Sequence, residues 1–108
     1  MSSQDLYNQF DGVFIEKSRL SVMTLLYQEK TVTFLRLKAI LGATDGALYS
    51  HMKKLVDAGY VRREKRLAGE RAETLYALST EGSTLFRRYL RFLENMLQSA
   101  RQEENDVE

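Results

Sequence analysis

The chain has no cysteine and no proline, and only one histidine, among its 108 residues. Without cysteine it can build neither a disulfide framework nor a thiolate zinc site, and nothing argues for an oxidising compartment. A single histidine, His51, cannot be half of an imidazole pair, so no metal and no cofactor are expected. No serine has a histidine and a carboxylate at a spacing recognisable as a triad, and "GATDG" lacks the lysine that a phosphate-binding loop requires. An enzyme is therefore not expected. No apolar run approaches the roughly 20 residues of a membrane span. The opening "MSSQDLYNQF" lacks the basic start and apolar core of a secretory signal, so the expected setting is the cytoplasm, with no membrane partner.

With proline absent, punctuation falls to glycine, which stands at 12, 42, 46, 59, 69 and 82. An apolar content of 44% and a charged content of 29% describe a globular chain, and the length suits one domain over 1–108. The net charge of +1 hides a separation. Residues 1–16 hold three acids and no base; 17–71 hold twelve bases against five acids, a net +7; the remainder is −3. A basic centre between acidic ends suggests a polyanionic partner for the centre.

From Ser18 to Gln28, "SRLSVMTLLYQ" opens on a candidate Ser cap and is apolar at too many positions for one exposed stripe, which predicts a buried helix. Phe34 to Leu41 predicts a short helix capped by Thr33 and stopped by Gly42. Thr44 then caps a further helix over 44–58, with Leu48, Met52 and Leu55 inward and Gly59 at its end. Two short helices joined by a few residues containing glycine make a helix-turn-helix. "YVRREKRL" and "TLYALS", joined by "AGERAE", predict a hairpin with a polar tip, a wing beside the helix pair. A last helix from a Ser79 cap to about Arg101 carries two adjacent apolar stripes. One is Leu85, Tyr89, Phe92 and Met96; the other is Phe86, Leu90, Leu93, Leu97 and Ala100. One stripe docks a helix on its own domain, and the surplus asks for a second copy. The fold class is thus mainly α with a small β-hairpin wing (α+β), a winged helix-turn-helix with a long C-terminal helix.

With its apolar stripe inward, the 44–58 helix presents Asp45, Gly46, Tyr49, Ser50, Lys53 and Lys54 outward or sideways. A helix of this kind fits the major groove of double-stranded DNA, and its first turns carry the residues that reach base edges. Gly46 either admits close backbone approach or is simply tolerated. Tyr49 and Ser50 offer hydroxyls to bases or phosphates, though Tyr49 could instead pack on the first helix. Lys53 and Lys54, later in the helix, suit phosphates or plain solvation. His51, beside the inward positions, reads as a packed, hydrogen-bonded residue.

The run "VTFLRLKAILGATDGALYSHMKKLVDAGYV", followed by strand, wing and strand, and then "LSTEGSTLFRRYLRFLENML", resembles the winged-helix transcriptional regulators of the MarR and ArsR groups. The resemblance spans about residues 10–98. It implies a sequence-specific regulator acting as a homodimer, with Thr44, Asp45, Gly46, Ala47, Tyr49, Ser50 and Lys53 at or near DNA, a set that Lys54 joins from its place on the helix. Lys65, Arg66 and Arg71 would belong to the wing. It also implies a dimer interface of N-terminal and last helices, from Leu6, Phe10, Phe14, Leu85, Phe86, Tyr89, Leu90, Phe92, Leu93, Met96 and Leu97. The domain then divides into a dimerisation segment (1–17), a winged-helix core (18–79), a dimerisation helix (80–101) and an acidic tail (102–108). The wing departs from the pattern: relatives carry more arginine at the tip, whereas "LAGERAET" holds Glu70 and Glu73. That composition keeps open a second reading, a protein-interaction or architectural module. A small apolar effector between the dimer helices and the DNA-binding part is compatible with the Phe, Tyr and Met there, which do not distinguish a pocket from ordinary core.

Overall fold

The computed structural model of the protein describes residues 3–106. In chain order it runs α1 (Ser3–Gln9), α2 (Gly12–Ile15), α3 (Lys17–Glu29), β1 (Thr31–Thr33), α4 (Phe34–Leu41), α5 (Asp45–Asp57), β2 (Val61–Ala68), β3 (Arg71–Leu78) and α6 (Thr80–Asp106). The helix boundaries follow local chemistry. Thr33 Oγ1 accepts the Arg36 N–H at 3.1 Å, and Thr44 Oγ1 accepts the Ala47 N–H at 3.2 Å. Each satisfies a donor that the first helical turn leaves without a partner. Behind α5, the Tyr60 N–H reaches the Leu55 carbonyl and the Gly59 N–H reaches the Val56 carbonyl, both at 3.0 Å. That is the double closure of a Schellman stop. α3 begins two residues earlier than a Ser18 cap implies, because Glu16 caps it, accepting the Arg19 N–H at 3.0 Å.

The wing is broader than a hairpin. β1 pairs antiparallel with the far edge of β3, Val32 opposite Tyr76, and gives a three-stranded sheet in the order β1-β3-β2. β3 is therefore central, and its consecutive residues Leu75 and Tyr76, which point to opposite faces, are both buried. β2 and β3 pair from Val61 opposite Leu78 to Ala68 opposite Arg71. The six-residue tip expected from the sequence shrinks to Gly69 and Glu70. Gly69 takes φ 67 and Glu70 keeps a negative φ, the backbone of a two-residue turn that follows the twist of the strands.

The sheet hands over to α6 at a tight corner. Ser79 Oγ donates to the Gly59 carbonyl at 2.5 Å and accepts the Gly82 N–H at 2.9 Å, while the Ser79 N–H reaches the Tyr60 carbonyl at 3.0 Å. A β-carbon at Gly82 would stand 1.9 Å from that same Tyr60 carbonyl oxygen. The serine and glycine of "LSTEG" are thus required by one contact, the approach of α6 to the chain leaving α5.

A core of Val22, Met23, Leu26, Val32, Leu37, Leu48, Met52, Leu55 and Val61 joins α3, α4, α5 and the sheet. Aromatic rings extend it toward the N-terminal helices. Phe10 lies 5.6 Å from Phe92 and 5.4 Å from Tyr89 between centroids, and Phe14 lies 5.3 Å from Tyr89, all edge-on. This packing divides the residues expected at an interface into two sets. Phe10, Phe14, Leu85, Phe86 and Phe92 are each at most 5% exposed within one chain, where the aromatic rings pack the N-terminal helices against α6. Leu6 and Tyr89 are partly buried against that core. Leu90, Leu93, Met96 and Leu97 stay 36–56% exposed. α6 runs on through 102–106 as helix, a rod of 27 residues and about 40 Å, and residues 107–108 of the expected tail lie outside the described residues.

Gly82→Ala is expected to destabilise the domain by about 1–3 kcal/mol or more, because the new methyl meets backbone and not a flexible side chain. Ser79→Ala should cost about 0.5–2 kcal/mol as a lost cap. Urea unfolding of both variants checks the order.

Candidate nucleic-acid interface

α5 is fixed by its inner side. Leu48, Met52 and Leu55 retain at most 1% of their surface, which leaves Asp45, Gly46, Ala47, Tyr49, Ser50, Lys53 and Lys54 exposed on the opposite side, with Thr44 exposed at the cap. Nothing lies within 4 Å of a β-carbon built at Gly46, so the first turn presents bare backbone outward. Tyr49 is 54% exposed. It borders a small cleft of about 110 Å³ between α5 and the sheet, shared with Lys53, Asp57, Arg63 and Tyr76.

Ion pairs sort the cations of this surface. Lys53 Nζ is 2.8 Å from Asp57 Oδ2 one turn on, and that carboxylate holds its ammonium above the ordinary lysine range. Arg66 Nε donates to Glu73 Oε2 at 3.1 Å across the wing. Strand alternation puts Arg63 and Lys65 on the sheet face shared with Val61 and Tyr76, the face that meets α5, and Arg62, Glu64 and Arg66 on the other. Arg66 therefore points away from α5 and is already neutralised. Glu73, which looked repulsive toward phosphates, is spent on Arg66. Among the described residues, Lys54, Arg63, Lys65 and Arg71 form no ion pair. All four are exposed.

Two contributors were missed by the sequence reading. Arg63 sits beside Tyr49 only because the hairpin register puts it opposite Tyr76. Lys38, on α4, reaches Asp45 Oδ1 at 2.8 Å and offsets the one carboxylate at the outward end of α5. The spacing of Lys38 and Asp45 across a tight helix-turn-helix was the available signal.

His51, on the flank of α5, is structural. Its Nδ1 lies 2.9 Å from Arg19 Nη1 and 3.7 Å from Glu16 Oε2. Burial alone would push the Glu16 carboxyl up, but the N–H groups of Arg19 and Ser18 and the charge of Arg19 hold it below its ordinary value. Tyr60, at the base of the wing, donates to Asp11 Oδ2. Burial, the hydrogen bond and the Asp11 charge push its hydroxyl up to about 12, so it remains a proton donor at neutral pH. Among the described residues no group of His, Asp and Glu could hold a metal ion, and no helix is long and apolar enough to cross a membrane.

A helix anchored by three apolar residues, bare at its first turn and flanked by a sheet carrying free cations, belongs to a known class. Residues 18–97, from α3 through most of α6, match the family model for a winged helix DNA-binding domain, and the chain belongs to that family. An uncharacterized protein of Methanocaldococcus jannaschii is 32% identical over 78 residues, covering 72% of this chain and 85% of its own. The structure of a transcriptional regulator homologue from Pyrococcus horikoshii OT3 superposes with a TM-score of 0.77 at 23% identity, over 90% of this chain and 97% of that one. A mutant MarR from E. coli, complexed with operator DNA, superposes with a TM-score of 0.61 at 26% identity, over 68% of this chain and 52% of that one.

Asp57→Asn should tighten binding to all duplexes and steepen the salt dependence, because it releases Lys53. Lys54→Ala should weaken all duplexes alike and flatten the log–log salt slope by about one unit. Fluorescence anisotropy across a salt series measures both.

Proposed function

We propose that the protein is a sequence-specific transcriptional regulator that binds double-stranded DNA as a homodimer, with α5 of each protomer in a major groove. The observation that carries this reading is the division of α5 into a fully buried apolar side and an exposed side of backbone, hydroxyls and lysines. Thr44, Asp45, Gly46, Ala47, Tyr49 and Ser50 occupy the first turns, where a groove-bound helix reads base edges. Lys53, Lys54, Lys65 and Arg71 take positions suited to phosphates, joined by Arg63. Arg66 contributes only if DNA displaces Glu73. MarR, bound to operator DNA, offers a precedent for the same fold on a duplex.

The homodimer is supported by the far end of α6. Leu90, Leu93 and Leu97 recur at helical spacing with Met96 beside them, all exposed on a rod longer than its own domain covers. A second copy supplies an identical stripe and buries both. An exposed apolar face of this kind marks an interaction surface.

With Lys54, Arg63, Lys65 and Arg71 on phosphates, a dimer makes eight contacts, and log K should fall against log salt with a slope near about −7. Titrating a pool of random duplexes at two salt concentrations and sequencing what is retained tests the reading. The expected result is an inverted repeat with half-sites about one helical turn apart. Weak binding at low salt with nothing enriched would refute it.

A further inference from the structure

The turn Asp11–Val13, the cap and first two residues of α2, is held by polar contacts from two other parts of the chain. Arg19 is 7% exposed, and its Nε donates to the Val13 carbonyl at 2.7 Å and Nη2 to the Gly12 carbonyl at 3.3 Å. α2 is a single turn, and its carbonyls are among the last four that a helix leaves short of partners. The same guanidinium reaches His51 Nδ1 on α5. A guanidinium has only donors, so Nδ1 must accept and the ring carries its proton on Nε2. On the other side Asp11 caps α2 through Oδ1, accepting the Phe14 N–H at 2.8 Å, and takes the Tyr60 hydroxyl on Oδ2. Tyr60 stands between α5 and β2. Phe10 and Phe14, which bracket the turn, are the rings packed against Tyr89 and Phe92 of α6.

The polar contacts of Arg19, His51, Tyr60 and Asp11 lie outside the hydrophobic core, and none involves an outward residue of α5. They join the two bodies that a dimeric regulator must keep in register. We infer that Arg19 and Tyr60 are positioning residues for DNA binding: by gripping the Asp11–Val13 turn they set the angle of α5 and the wing relative to α6, and so the spacing of the two recognition helices in the dimer. The inference rests on the homodimer proposed above. Polar contacts suit this task because they are directional. Apolar packing alone lets helices slide, whereas the bond to His51 is kept only over a narrow range of distance and angle.

The absence of cysteine makes the test direct. Ser50→Cys on the exposed side of α5 gives one spin-label site per protomer, and pulsed electron resonance without DNA then reads the distance between the two recognition helices. The otherwise unsubstituted protein should give one narrow distance. His51→Leu removes the acceptor and Tyr60→Phe removes only a hydroxyl; each should broaden that distance while circular dichroism reports an intact fold. His51→Asn, whose amide oxygen can stand near the former Nδ1, should restore it. In unlabelled protein, operator affinity should fall about 2- to 30-fold in His51→Leu and recover in His51→Asn. An equally narrow distance in His51→Leu and Tyr60→Phe overturns the inference and leaves the dimer standing. No inter-subunit distance in the otherwise unsubstituted protein removes the dimer, and the inference with it.

Discussion

Leu48, Met52 and Leu55 project from one side of α5 into the core, and the orientation of everything else on that helix depends on them. Burying each stabilises the fold by roughly 1.5–3 kcal/mol, so turning α5 about its axis to offer another face would forfeit a large part of a small domain's stability. The outward set from Thr44 to Lys54 is therefore presented rigidly. Preorganisation of this kind lowers the ordering cost when a duplex is bound. The caps serve the same end: Thr44 fixes the first turn, where the bare backbone at Gly46 faces out, and the closure through Gly59 sends the chain directly into the wing.

The electrostatics of this surface are more balanced than its composition suggests. The central segment carries an excess of seven positive charges, yet Lys53, Arg66 and Lys38 are each tied to a carboxylate within 3.1 Å. Such exposed pairs are weak in water, typically below about 1 kcal/mol, and phosphates can compete for them. They hold side chains in place and reduce the positive charge that this surface offers to a polyanion. The acidic wing fits that arrangement. Glu73 belongs to a cross-strand pair with Arg66 and does not oppose phosphates.

Much of the helical fold was legible because its signals are local. Thr33, Gly42, Thr44 and Ser79 cap or stop helices through bonds to residues a few positions away, and the inward stripe of α5 repeats at helical spacing. The features that were not legible depend on distant partners. β1 is three residues long, too short to show a period, and pairs with a strand more than forty residues on. The reach of the wing depended on register, which the mixed faces of "VRREKR" did not fix. The aromatic residues were recognised as apolar faces, but a stripe does not say which surface covers it. Phe10 and Phe14 turned out to cover α6 of their own chain. Arg19 could not be read at all, since its partners lie on α2 and, 32 residues away, on α5. The family pattern pointed to α5 as the helix to offer a duplex, and only the folded structure separates free cations from spent ones.

The central claim is that the exposed side of α5, with the adjoining wing, is where a duplex binds. Titrating an enriched duplex into isotopically labelled protein and following backbone amide resonances tests it residue by residue. The largest shifts are expected at Thr44–Ser50, with smaller ones at Lys54, Arg63, Lys65 and Arg71, and little change at Leu90–Leu97. Shifts concentrated along α6, with those of α5 unmoved, would contradict it.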